Sequence, residues 1–222
     1  KYKNQSNKIS EKQSVNFASM EEIDTMLSLM LKEIKLKRLK SKGELTGKER
    51  ELIMMYTIFN MLKYIPTRND LAFMTMTTPK QYHKQDKQYN YLVVGRDKLY
   101  YMLNNFKTNK TFGVDKRIDV PEDLMKIIRI YIRATEKKTG DFLFTTSTGN
   151  PITRNVMSQM LLKTSKKYIG KSVSTTLMRK IVVSDKFGPG TEFAKLKEEQ
   201  VNLASAMCHS VATQNAIYIK EA

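Results

Sequence analysis

The chain predicts an α+β fold, mainly helical, with one small antiparallel β-sheet. Three features predict it: apolar residues at helical spacing behind two capping-box patterns, a β-branched and aromatic stretch between 91 and 120, and further helical patterns towards the C-terminus. With 222 residues, 41% of them hydrophobic and 27% charged, the chain has enough apolar material to bury a core.

Residues 1–18 are polar and without a period, and read as a linker or N-terminal arm ahead of a domain over 19–222. Ser19-Met20-Glu21-Glu22 fits a capping box, in which the serine oxygen accepts an orphan amide and Glu22 reaches back. Ile23, Met26, Leu27, Met30, Leu31 and Ile34 then follow at helical spacing, with Gly43 as the expected stop. Thr46-Gly47-Lys48-Glu49 repeats the box and opens a second helix, with Leu52, Met55, Tyr56, Phe59 and Leu62 on one face. Pro66 ends it, and Arg68 stands just beyond.

The next segments, 91–94, 98–104 and 111–120, are broken by Gly95, Asn105 and Gly113 and predict the sheet. Pro121 suits the first position of a helix carrying Leu124, Ile127, Ile128 and Tyr131 on one face. A turn at 147–151 leads to a helix over 154–168, then another over 175–185. A Gly-Pro-Gly loop at 188–190 precedes a last helix over 192–207. The 14 methionines fall mostly at core-facing positions, where they fill gaps.

Thirty-nine basic residues face 22 acidic ones, a net charge of +17. The excess is spread out, with 12 basic and 7 acidic residues in 1–50 and 10 and 4 in 151–200, as suits a surface that follows a duplex. A membrane-surface helix would want an interfacial tryptophan, and the chain has none. No apolar run reaches spanning length, and Lys1-Tyr2-Lys3-Asn4 does not open a secretory signal. Cys208 is the only cysteine, which leaves no intramolecular disulfide and no cysteine-based zinc site and points to a reducing, intracellular setting: a prokaryotic cytoplasm, a nucleus or a viral factory. Because the first residue is not methionine, the chain is expected to be part of a longer protein.

Metal-dependent phosphodiester chemistry needs clustered carboxylates, and no D-x-D or E-x-x-H pattern occurs. The phosphate-cradling G-x-x-x-x-G-K-[ST] loop is also missing, so no metal and no cofactor are expected. The alternative kit is a side-chain nucleophile, arginine forks for the charged phosphoryl group and an acid for the leaving oxygen. His209 and Tyr218, nine positions apart near the C-terminus, offer a phosphate ligand and a phenolic nucleophile. His83 lies in a polar loop and reads as solvated, and Cys208 reads as inert despite its histidine neighbour.

The stretch from Phe142-Leu143-Phe144 through Gly149-Asn150-Pro151-Ile152-Thr153 to Arg179 resembles the second half of a tyrosine recombinase catalytic domain, the family of phage integrases. His209-Ser210, Thr213 and Tyr218 resemble that family's closing box, with Met207-Cys208 where Leu-Gly is usual. The resemblance covers roughly residues 19–222. It implies that Tyr218 is the nucleophile, that Arg68, Arg179 and His209 hold the scissile phosphate, and that Lys107 protonates the leaving oxygen. Lys110, three residues on, is an alternative acid, and Thr176 occupies the place of the family's first histidine.

The implied function is cleavage and religation of double-stranded DNA through a 3′-phosphotyrosine in recombination or integration. A tetramer on DNA is implied. With only residues 219–222 beyond Tyr218, a monomer is expected when free. Two alternatives stay open: a type IB topoisomerase-like relaxing enzyme, and a DNA-binding protein that keeps the fold without cleavage. A basic RNA-binding module is disfavoured because no RNP-like aromatic run is present.

Overall fold

The computed structural model describes residues 11–107, 109–207 and 210–213. The chain divides into two units, Lys1–Arg179 and Lys180–Ala222.

In the first unit, a short α1 (Glu11–Ser14) precedes α2 (Met20–Leu36) and α3 (Gly47–Tyr64). Both long helices start as the sequence predicts. Glu22 N–H donates to Ser19 Oγ at 3.1 Å while Ser19 N–H donates to the Glu22 carboxylate at 2.8 Å, and Thr46 and Glu49 repeat the exchange. Helix α2 buries Ile23, Met26, Leu27, Met30 and Ile34 as one stripe. It stops earlier than Gly43. Arg38 turns left-handed (φ 52°) and Leu39 N–H donates back to the Ile34 carbonyl, which lets fully buried Leu39 enter the core. Helix α3 is buried along nearly its whole length from Leu52 to Leu62, including Thr57 and Asn60, whose polar atoms bond back to helix carbonyls. It is the central helix of the unit, with α2, α6 (Glu122–Ala134) and α7 (Arg154–Ile169) packed on it.

The sheet has four strands in sequential order: β1 (Thr75–Thr77), β2 (Tyr91–Val94), β3 (Leu99–Leu103) and β4 (Lys116–Asp119). β2, β3 and β4 form the antiparallel meander that the sequence predicts, and β1 joins β2 in parallel, Thr75 opposite Tyr91. The expected strand over 111–120 is shorter, because Asn109–Phe112 forms helix α5 and Gly113 and Asp115 turn left-handed before β4. A further short helix, α4 (Pro79–Tyr82), lies between β1 and β2. Tyr101 in β3 is wholly buried, which holds its phenol far above the usual range.

Helix α8 (Thr175–Phe187) begins in the first unit and continues into the second. The second unit also holds α9 (Glu192–Ala206) and α10 (Val211–Thr213), with the Phe187 and Phe193 rings edge to face at 5.0 Å. No described helix is long and apolar enough to cross a membrane.

Candidate active site

Arg68 is placed by the end of α3. Ile65 N–H donates to the Met61 carbonyl at 2.8 Å, and Pro66 then stops the helix. Arg68 N–H donates to the Asp70 carboxylate at 3.2 Å, curling Asn69–Leu71 into a single 3₁₀ turn. The Asn69 side-chain amide ties this turn to Ser158 of α7 at 3.1 Å. Two groups flanking Arg68, the Thr67 hydroxyl and the Asn69 side-chain carbonyl, are buried without a hydrogen-bond partner among the described residues.

Lys107 follows Asn104-Asn105, whose backbone amides both donate to the buried Asn90 side-chain oxygen, at 2.9 and 2.8 Å. Asn104 extends the anchor. Its side-chain oxygen accepts the Asp115 amide at 2.8 Å and its nitrogen donates to the Tyr89 carbonyl, also at 2.8 Å. The connection carrying Lys107 is therefore held at both ends by buried asparagines rather than by strand pairing.

Thr176 and Arg179 stand one turn apart at the start of α8, where Ser174 Oγ accepts Leu177 N–H at 3.2 Å. Val173, just before, is pinned by its N–H to the buried Ser165 Oγ at 2.8 Å. Arg154 is the first residue of α7, behind the capping Thr153.

These segments line one cleft of about 400 Å³, all within the first unit. Arg68, Lys107, Thr176 and Arg179 share it with Arg154, Thr175, Asn105 and Asp70. Lys110, exposed on α5, is not among its lining residues. His209 and Tyr218 lie outside the described residues.

Four cations thus line one cleft with a single carboxylate, Asp70. Burial pushes the Asp70 carboxyl up, while its bond from Arg68 and the charges of Arg154, Arg68 and Arg179 pull it down. Arg179 is shifted down by burial and then by the like charge of Arg68, with Asp70 opposing. One carboxylate does not neutralise the group, so an anion entering the cleft meets guanidinium forks already gathered, Arg179 half-buried and Arg68 and Arg154 exposed. A phosphodiester has the charge and the oxygen geometry to fill that role. Among the described residues, no three His, Cys, Asp or Glu side chains are grouped to hold a metal ion.

Sequence reasoning missed Arg154 and Asn105. Arg154 carried a readable signal, because a cation in the first turn of a helix opposes the macrodipole and this first turn has no acid to offset it. An anion beside Arg154 would offset that small unfavourable term. Asn105 carried none, since its role depends on Asn90.

No protein-family model matches the chain, and no curated protein matches it. Among solved structures, XerA recombinase is similar, with a TM-score of 0.49 and 15% identity. The match covers 100% of this chain and 62% of that one.

Proposed function

We propose that residues 19–222 form the catalytic domain of a tyrosine recombinase, acting inside the cell on double-stranded DNA, with 1–18 as an arm. In this reading the Tyr218 phenol oxygen attacks a phosphorus, forming a 3′-phosphotyrosine and releasing a 5′-hydroxyl. The phenol proton passes to water or to the phosphate, since Thr176 is no base near neutral pH. Arg68, Arg179 and His209 neutralise the charge that builds on the phosphoryl oxygens, and Lys107 gives the leaving oxygen its proton. The ester keeps the bond energy, so a second 5′-hydroxyl can reverse the step without ATP. The protein is a monomer when free and assembles as a tetramer on DNA.

The observation that carries this reading is the cleft shared by Arg68, Lys107 and Arg179, residues far apart in sequence, in a chain that also carries the His209 and Tyr218 spacing. The test is a pool of nicked duplexes with a randomised centre, incubated with the protein and resolved under denaturing conditions. A covalent protein–DNA adduct from wild type and none from Tyr218→Phe is expected. No adduct from wild type, or an undiminished adduct from Tyr218→Phe, overturns it. Thr176 in the cleft favours one second reading, a topoisomerase-like enzyme of the same chemistry, which would relax plain supercoiled plasmid.

A further inference from the structure

A second cleft in the first unit, about 440 Å³, lies apart from the residues discussed above. One wall is the start of α3, with Gly47, Arg50, Glu51 and Met54 on a single face. Facing it are Lys137, just past the end of α6, the segment 145–147, and Lys163 on α7. Its volume falls in the range of small-ligand sites.

Three cations, Arg50, Lys137 and Lys163, line it together. Some lysines elsewhere pair with carboxylates, as Lys42 does with Glu49, Lys63 with Asp24 and Lys171 with Glu22. Among the described residues no carboxylate forms an ion pair with Arg50, Lys137 or Lys163. Arg50 uses only Nε, on the Leu45 carbonyl at 3.1 Å, which leaves both terminal nitrogens of its fork unengaged. Lys137 has one hydrogen bond, to Thr145 Oγ1 at 3.0 Å, for an ammonium with three donors. Half-buried, it is shifted down first by burial and also by Arg50, with Asp141 opposing. Glu51 is the single acid in the lining, and the Ser147 hydroxyl faces the same space.

We propose that this cleft binds a phosphate group, held by the Arg50 fork, the Lys137 and Lys163 ammoniums and the hydroxyls of 145–147. Lys137 is half-buried beside the like charge of exposed Arg50, and a phosphate anion offsets that repulsion. The phosphate belongs to a free nucleotide or to the backbone of a polynucleotide. This inference does not rest on strand cleavage, because none of these residues lines the cleft with Arg68.

The test is calorimetric titration of the full chain with adenosine monophosphate and, separately, with a duplex of about 20 base pairs at several salt concentrations. The double variant Arg50→Gln/Lys163→Gln is compared with a charge-matched control, Lys32→Gln/Lys35→Gln on the exposed side of α2. Lys163→Glu alone, at an exposed position, guards against loss of fold. A weakening of about tenfold or more for the monophosphate, absent from the control, assigns a free nucleotide. Weakening for the duplex alone, with the salt slope reduced by about 2, assigns backbone phosphate. If both variants bind both probes as the control does, the proposal fails, whatever the outcome of the adduct assay.

Discussion

The side-chain nitrogen of Asn90 donates to the backbone carbonyl of Asp70 at 2.9 Å, and with its other hydrogen to the carbonyl of Asn105 at 3.0 Å. Its oxygen already accepts the amides of Asn104 and Asn105, so one buried asparagine uses its full capacity to join the turn behind Arg68 to the connection that carries Lys107. Asn90→Ala leaves four backbone groups without that partner. A loss of about 2–3 kcal/mol is expected, read as a lower urea midpoint at unchanged slope. A wild-type midpoint would show that the clamp is dispensable.

Arg154 lines the same cleft as Arg68 and Arg179, and its terminal nitrogen lies 3.4 Å from the Asn105 side-chain oxygen. If DNA phosphate fills the cleft, Arg154→Gln weakens binding to all duplex sequences alike. The slope of log affinity against log salt falls by about 1. Fluorescence anisotropy at four salt concentrations measures both quantities, and an unchanged slope would remove Arg154 from the phosphate contacts.

Glu33 on α2 accepts from Lys37 at 2.7 Å and from the Tyr168 hydroxyl of α7 at 2.6 Å, with Lys167 at 3.6 Å. Lys37 first, then Tyr168, hold its carboxyl at about 2, below its ordinary 4.5. A depressed carboxyl pKa stabilises the fold above the unfolded value and loses that effect as pH falls towards the folded one. Glu33→Gln should therefore cost about 1–2 kcal/mol at pH 7, after allowance for screening of this partly exposed group. Near pH 2 the wild type and the variant should converge. Urea unfolding at the two pH values decides it, and an equal gap at both would refute the assignment.

Gly170 ends α7 in the left-handed region at φ 70°, its N–H donating to the Lys166 carbonyl, and nothing lies within 4 Å of where a Cβ would stand. Gly170→Ala thus isolates backbone strain from packing. It should lower stability by about 1 kcal/mol, seen as a thermal shift of a few degrees at most.

Much of this architecture is legible locally. Both capping boxes act over three residues, so Ser19 and Thr46 announce α2 and α3 without reference to anything distant. The stripe from Ile23 to Ile34 announces which face is buried. The end of α2 is not legible, because it depends on Leu39 finding a place in the core and drawing Arg38 left-handed. Strand β1 escapes notice for a similar reason: three residues carry no period, and their pairing with β2 depends on a partner sixteen positions away. For the cleft, the family resemblance names Arg68, Lys107, Thr176 and Arg179, and Arg154 left a local signal at the start of α7, but Asn105 and Asn90 act through relations between segments that no local pattern carries.

By itself the amino-acid order determined the starts of the long helices, the meander, the excess of positive charge and the spacing of His209 and Tyr218. These follow from forces acting over a few residues, or from simple counting. Only the tertiary structure decided that Arg68, Lys107, Arg154 and Arg179 share one cleft over Asp70, and that a second group of cations gathers at the start of α3. Like charges come together only where buried side chains elsewhere supply the stabilisation that offsets their repulsion, and that balance exists only in the folded chain.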